Sequence, residues 1–196
     1  KERTVRELSS VSFRGGVVFG VGCVERMASV YVDFFRREKW GDEVALWMAI
    51  DAAWEVGMGA SVSLPALERI LAACEAGVPH SDEFGSPLAQ YAQNAMLSTC
   101  SLLDYMMCCG VGRLAFVPQY AVDVVDFYVQ ESEEMDGGDL ELRILEHPLM
   151  QQELVRQRRD LAAVLNAKSL DRSWLQDMRV AGRPESVFIL GVPPVL

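Results

Sequence analysis

The sequence lacks most of the features that would assign a chemistry to its 196 residues. Only two histidines occur, His80 and His147, and neither follows a glutamate by three residues, as di-metal centres in helical bundles require. It contains no Cys-x-x-Cys pair, no Gly-x-Ser-x-Gly motif and no phosphate-binding glycine loop. We therefore expect a protein that is not an enzyme and that has no catalytic residues, no metal and no other cofactor.

Long apolar runs are also missing. The longest stretch with few charges, residues 15–31, is interrupted by Glu25 and Arg26, so it falls short of the ~20 apolar residues that a membrane span needs. The sequence opens with KERTVRELSS, which is charged and does not resemble the apolar core of a secretory signal. These patterns predict a cytoplasmic protein that binds no membrane.

The cysteines form no recognisable pattern. Their number is odd, and the adjacent pair near position 108 suits neither an ordinary disulfide nor a metal site. All of them stand beside apolar or small residues, as buried free thiols do. We expect reduced core cysteines of a cytosolic protein at five positions: Cys23, Cys74, Cys100, Cys108 and Cys109.

The charge of the sequence is negative and unevenly distributed. A formal net charge of −10 argues against nucleic acid and anionic membranes as partners, and leaves a basic protein as the complementary partner. No Lys or Arg occurs between Leu114 and Leu142. The acidic side chains of this span, here called the acidic ridge, are Asp123, Asp126, Glu131, Glu133, Glu134, Asp136, Asp139 and Glu141.

Helical spacing places much of the acidic ridge on one face of a helix that is predicted to begin near Pro118. The opposite face of this helix is an apolar stripe of Ala121, Val124, Val125 and Tyr128. The acidic ridge is predicted to bind a basic protein partner, and the alternative is an ordinary solvated acidic face.

Apolar residues at steps of three and four predict seven or eight helices over most of residues 12–180. The first helix runs from Ser12 to Lys39. Its helical wheel places Glu25 and Arg26 on the solvated or interfacial face, with a buried functional pair as the alternative. Its four glycines, at positions 15, 16, 20 and 22, are predicted to permit close packing of neighbouring helices.

The other helices are bounded by glycine, proline and short polar residues. The helix that begins at Ser86 is rich in small residues and is predicted to occupy the centre of the bundle. The last helix is predicted to end at Gly182, before a short extended C-terminal tail around Val187–Leu190. The second helix is predicted to place one apolar stripe on a single side: Val44, Trp47, Ile50 and Trp54. The sequence therefore predicts one all-α domain over residues 1–196, a single multi-helix bundle.

Several stretches together form a pattern that runs from Val17 to the apolar tail. They are CVERM, which is followed by Tyr31 and by Gly41-Asp42, then DAAWE, LERILAACEAGVPHSDEF and HPLMQQEL. This pattern resembles the bacterial YjaG-like family of unknown function, domain-of-unknown-function family 416, although the glycine-rich GGVVFGVG departs from it. The resemblance implies a small, acidic, all-helical protein and supplies no catalytic residues. It also adds weight to a helix–helix salt bridge for Glu25 and Arg26.

Two hypotheses of function remain open. The first is a non-catalytic acidic binding protein of the immunity type, which binds and neutralises a basic bacterial toxin domain through the acidic ridge. The alternative is a YjaG-like housekeeping protein of unknown role, or a helical small-molecule binder or enzyme with its pocket between helices. The polar residues that such a pocket would use are Asp51, Glu55, Asp104 or Arg26.

Overall fold

The computed structural model of the protein describes residues 6–132 and 139–186, which form an all-α bundle. These residues contain no strand. Their principal helices are α1 (Phe13–Glu38), α2 (Glu43–Gly57), α3 (Leu64–Ala76), α4 (Pro87–Cys108), α5 (Val111–Ser132), α6 (Leu140–Glu146), α7 (Pro148–Asn166) and α8 (Arg172–Ser186). The predicted fold class is confirmed, whereas the tail predicted around Val187–Leu190 lies outside the described residues.

The bundle is arranged around α1. The side chain of Ser12 caps this helix by accepting a hydrogen bond from the Gly15 N–H at 3.2 Å, and the chain leaves it at Lys39 in a left-handed conformation. The predicted limits of this helix are confirmed. α1 packs against α2, α4, α5, α7 and α8. The helix α4 shares the central position, as predicted, and packs against α1, α2, α3 and α5.

Small residues let α1 approach its neighbours closely. A Cβ atom at Gly20 would lie 2.7 Å from Leu102 Cδ1 of α4 and 3.2 Å from Leu114 Cδ1 of α5. Gly22 is different, because the nearest atom to such a Cβ would be Arg26 Nη1 at 3.9 Å. The prediction of close packing is confirmed at three positions: Gly15, Gly16 and Gly20.

The helix α5 begins well before Pro118, which lies inside it. Proline removes one N–H donor from a helix and usually breaks it. Here the neighbouring helices bind the backbone beside the proline: Ser98 Oγ donates to the Val117 carbonyl at 3.2 Å, and Gln157 Nε2 donates to the Pro118 carbonyl at 2.9 Å. The predicted start at Pro118 is wrong, because the helix begins at Val111 and continues through the proline, where α4 and α7 contact it.

Two further predictions, about α2 and α8, are wrong. In α2, Ile50 and Trp54 are buried as expected, but Val44 and Trp47 are exposed. Instead, the side of α2 that faces the core contains small residues, among them Ala45, Ala49 and Ala53. The helix α8 continues past Gly182 to Ser186, since a helix tolerates an internal glycine at a cost of roughly 1 kcal/mol.

Replacing Gly20 with alanine is expected to destabilise the protein by about 1–2 kcal/mol, because the added methyl group collides with Leu102 and Leu114 in a packed core. The matched change Gly22→Ala adds the same group to the same helix without a collision. It is expected to stabilise by up to about 1 kcal/mol, since alanine favours a helix over glycine. Urea unfolding measures both variants, and equal stabilities would contradict the close contact at Gly20.

Candidate functional site

Glu25 and Arg26, adjacent on α1, are both buried in the structure. Their exposed fractions are 9% and 2%. The expectation that they lie on a solvated face is therefore wrong, and the helix–helix salt bridge that the family resemblance favours is the arrangement found. Arg26 is among the largest fully buried side chains in the described part of the chain. Such a charge is stable in a protein interior only when it is paired.

Arg26 is paired with two carboxylates of α7. Its Nη1 lies 2.6 Å from Asp160 Oδ2, and its Nη2 lies 3.2 Å from Glu153 Oε1. These two partners are seven positions apart, so they lie two turns apart on the same side of α7. Gln157, on the turn between them, donates to Glu153 Oε1 at 2.9 Å. The guanidinium therefore fixes the position of α7 against α1 at two points.

The two carboxylates beside Arg26 keep its guanidinium charged. Burial alone would lower the pKa of Arg26, but the carboxylates of Glu153 and Asp160 raise it above its ordinary value. Burial also raises the pKa of the Cys23 thiol to about 12, although Arg26 partly opposes this effect. Cys23 is therefore a neutral thiol at physiological pH. It accepts a long hydrogen bond from Arg26 Nη2 at 3.5 Å.

Glu25 points to a different pair of helices. Its Oε2 accepts a hydrogen bond from Trp54 Nε1 of α2 at 2.9 Å, and its Oε1 lies 3.1 Å from Arg179 Nε of α8. Arg179 also reaches Asp51 of α2 at 2.8 Å, and its guanidinium lies over the Trp54 ring at 5.6 Å. Glu25 thus connects α1 to α2 and α8, while Arg26 connects α1 to α7.

This buried network holds helices together and leaves two of its atoms unsatisfied. Within the described residues, Arg26 Nε and Glu153 Oε2 are buried side-chain atoms without a hydrogen-bond partner. The other charges are paired with one another. The arrangement resembles a structural clamp more than a reaction centre, because each of its acidic groups already accepts bonds from a cation or a donor.

The residues proposed for a small-molecule pocket are dispersed. Asp51 is exposed and pairs with Arg179, while Glu55, on the same face of α2, is also exposed. Asp104 pairs with Arg113 at 3.4 Å near the junction of α4 and α5. A surface depression of about 350 Å³ lies between the loop that joins α1 to α2 and the end of α3, and these acids do not line it.

The structure describes only part of the acidic ridge, since Glu133, Glu134 and Asp136 lie outside the described residues. On α5, Asp123 and Asp126 are half-buried. Each accepts a hydrogen bond from a glutamine four positions away on the same helix: Gln119 at 2.8 Å for Asp123 and Gln130 at 2.7 Å for Asp126.

The remaining described members of the acidic ridge lie in two places. Glu131, near the end of α5, accepts a hydrogen bond from the hydroxyl of Tyr91 on α4, so it is turned toward that helix. Asp139 and Glu141 are exposed at the beginning of α6. The acidic ridge is thus not a single row of side chains, and its part on the outward face of α5 consists of Asp123 and Asp126.

Two aromatic side chains on the same face of α5 were missed by the sequence analysis. Phe116 and Phe127 are 44% and 40% exposed. Phe116 precedes Asp123 by seven positions and Phe127 follows it by four, so all three lie on one side of the helix. The predicted start at Pro118 hid this pattern, because it left Phe116 outside the helix.

The structure separates the five cysteines into three buried and two exposed thiols. Cys23, Cys74 and Cys100 are buried as expected, but Cys108 and Cys109 are exposed. That expectation is wrong for the adjacent pair because it lies at the end of α4, where Cys109 takes the left-handed conformation of a helix cap.

The described residues offer no grouping of metal ligands. His147 Nδ1 caps α7 by accepting the Leu149 N–H at 3.2 Å. Across residues 6–132 and 139–186, no three His, Cys, Asp or Glu side chains come together to hold a metal ion. The expectation of a metal-free protein stays a prediction. In the same residues, no helix combines the length and the apolar character that a membrane crossing requires.

Comparison with known proteins identifies the family. The model of a protein family of unknown function, DUF416, matches residues 3–192. The chain belongs to the DUF416 family. This finding confirms the predicted membership in family 416, while the YjaG-like name remains a resemblance. No curated protein matches the sequence.

A solved structure has the same fold as this DUF416 protein. It is the crystal structure at 1.91 Å of a DUF416 family protein from Shewanella baltica OS155, which superimposes with a TM-score of 0.86 at 16% sequence identity. The similarity covers 96% of this chain and 97% of that one. At this level of identity the likeness establishes the fold and carries no role for individual residues.

The pairing of Arg26 in this DUF416 protein predicts a specific pattern of stabilities. Arg26→Met is expected to cost about 3–5 kcal/mol, since it removes the buried cation that Glu153 and Asp160 share and leaves Asp160 with only the exposed Arg159 as an ion-pair partner. Adding Glu153→Gln and Asp160→Asn to that variant is expected to restore a large part of the loss, because the two buried carboxylate charges are then removed as well. Guanidinium unfolding monitored by circular dichroism measures all three proteins.

The control for this series is Arg113→Met, which removes an exposed arginine from its ion pair with Asp104. Its expected effect is below about 1 kcal/mol, because solvent screens such pairs. If Arg26→Met and Arg113→Met have the same small effect, the buried pairing of Arg26 contributes nothing to stability.

Proposed function

We propose that the protein is a non-catalytic binding protein of the immunity type, whose outward α5 face binds a basic protein partner. The observation that carries this proposal is the juxtaposition of exposed Phe116 and Phe127 with Asp123 and Asp126 on that face. We call these four residues the α5 face. The candidate partner is a basic bacterial toxin domain, which binding would neutralise.

The α5 face combines the two features that protein interfaces use. Exposed aromatic side chains bury a large area on binding and lose little conformational entropy, so they often supply most of the binding energy. Acidic neighbours accelerate association with a basic surface and contribute to specificity. A complementary partner would therefore offer apolar pockets for Phe116 and Phe127, with Lys or Arg at their edges.

The local charge supports a basic rather than an acidic partner. From Leu114 to Leu142 the sequence contains no Lys or Arg, so this segment carries a strongly negative net charge. On the α5 face, Gln119 and Gln130 each donate a neutral amide hydrogen bond to one of the two carboxylates, Asp123 and Asp126, which orients it on the helix. Asp139 and Glu141 add negative charge at the start of α6.

The α5 face is also held on a rigid element. The helix α5 packs against α1, α4 and α7, and its backbone beside Pro118 accepts hydrogen bonds from two neighbouring helices. A binding surface that is fixed before the partner arrives loses less entropy on association. This supports a role for the α5 face in recognition.

The charge reversal Asp123→Lys with Asp126→Lys tests the proposal. Pull-down from the native host at low salt is expected to retain a basic protein on the wild-type chain and not on this variant. The association rate of that protein, measured by surface plasmon resonance, is expected to fall about tenfold or more and to lose most of its salt dependence.

The matched control is Glu68→Lys with Glu75→Lys, which makes the same charge change at exposed positions on α3. It is expected to retain the partner, with an association rate close to that of the wild type. If both variants lost the same part of the association rate, the effect would come from overall charge, and a specific α5 face would be contradicted.

A third variant tests the aromatic part of the α5 face. If Phe116→Ala also left the affinity unchanged, the interface would lie elsewhere. A captured partner with toxin activity that the wild-type chain fails to inhibit would refute the immunity role.

A further inference from the structure

An apolar patch is exposed on α2, away from the α5 face. Val44, Trp47 and Met48 are 63%, 39% and 53% exposed, and their spacing of three and four positions places them on one side of the helix. We call these three residues the α2 patch. One turn further along the same side lies Asp51, whose partner is Arg179 of α8. The α2 patch is therefore next to the region that α8 borders.

The contacts of α8 define its direction along α2. Arg14 Nη2 donates to the Gly57 carbonyl at 2.7 Å and to the Leu170 carbonyl at 2.8 Å, so the end of α2 lies beside the residues that precede α8. Further along α8, Arg179 reaches Asp51, which is closer to the beginning of α2. The two helices therefore run in opposite directions, and α8 proceeds toward the α2 patch.

The end of α8 lies level with the α2 patch. Ser186 is two turns beyond Arg179, and Val44 is two turns before Asp51, which corresponds to about 10 Å along each helix. Val180, which directly follows Arg179 on α8, is also exposed. The described chain therefore ends level with Val44 along the axis of α2.

The segment that continues from Ser186 is suited to cover this surface. Residues 187–196 read VFILGVPPVL and contain no charged or hydrogen-bonding side chain. When extended, ten residues span up to roughly 33 Å, more than the α2 patch requires. The match of the family model continues to residue 192, so most of the segment belongs to the family's own sequence.

We propose that residues 187–196 dock in an extended form on the α2 patch of the same chain. The proline pair in the segment favours an extended backbone, which can follow a helix surface. Removal of so much apolar surface from water is the driving force. This inference is independent of the proposed partner site, since it concerns another helix and an occupant within the chain.

The experiment observes Trp47 by fluorine NMR in the whole chain labelled with 5-fluorotryptophan, with Trp47→Phe to assign its signal. Deletion of residues 187–196 is expected to move the Trp47 signal and to enlarge its shift between H₂O and D₂O. The signal of Trp54, on the buried side of α2, is expected to stay in place as a check of the fold. An unmoved Trp47 signal overturns the proposal, and so does a signal that depends on protein concentration, since a second copy then covers the patch.

A second variant decides the outcome even if the shortened chain fails to fold. Met48→Glu places a charge in the α2 patch, and hydrogen exchange of residues 187–192 is expected to accelerate about tenfold. The matched control is Leu142→Glu on α6, which changes a similarly exposed apolar residue and is expected to leave that exchange unaltered. Unchanged exchange in Met48→Glu, or equal acceleration in both variants, contradicts docking on the α2 patch.

Discussion

The guanidinium of Arg26 lies inside the bundle, and its burial restricts how the neighbouring helices can be placed. A buried cation without partners costs several kcal/mol, so α1 and α7 are stable together only where Asp160 and Glu153 reach it. A small shift of α7 along α1 would break both ion pairs. The two ion pairs of Arg26 therefore act mainly by allowing only one arrangement of α1 and α7, and less by adding to the free energy of unfolding.

The neighbouring residue extends this constraint to the other side of α1. Successive residues of a helix point roughly 100° apart, so Glu25 turns toward α2 and α8 while Arg26 turns toward α7. The α7 side also connects to α5. Gln157 donates to both Glu153 and the carbonyl of Pro118, which places the internal turn of α5 in contact with the buried network. The α5 face is thus presented by a helix whose position depends on Arg26.

The sequence predicts best what depends on residues close together in the chain. The caps of α1 and α2, Ser12 and Asp42, accept hydrogen bonds from N–H groups three positions away, and α1 has its predicted limits. The prediction placed Glu25 and Arg26 on a solvated face because their partners are far along the chain. Glu153 follows Arg26 by 127 positions. Pro118 was read as a helix start because proline is common in a first turn, whereas here it lies inside a helix that begins at Val111. The outward position of Asp123 and Asp126 followed from helical spacing, but Phe116 required the true start of α5.

The claim that Glu25 and Arg26 fix the helices through their separate partners is tested most directly by thermal unfolding. The protein to measure is a chain in which Glu25 and Arg26 exchange places. The exchange Glu25→Arg with Arg26→Glu keeps the composition and charge, but sets glutamate against Glu153 and Asp160 and arginine against Arg179. We predict a loss of at least about 4 kcal/mol or of cooperative folding. The control exchange, Arg37→Glu with Glu38→Arg at the exposed end of α1, should stay within about 0.5 kcal/mol of the wild type. An exchanged chain that unfolds at the wild-type temperature would contradict the account.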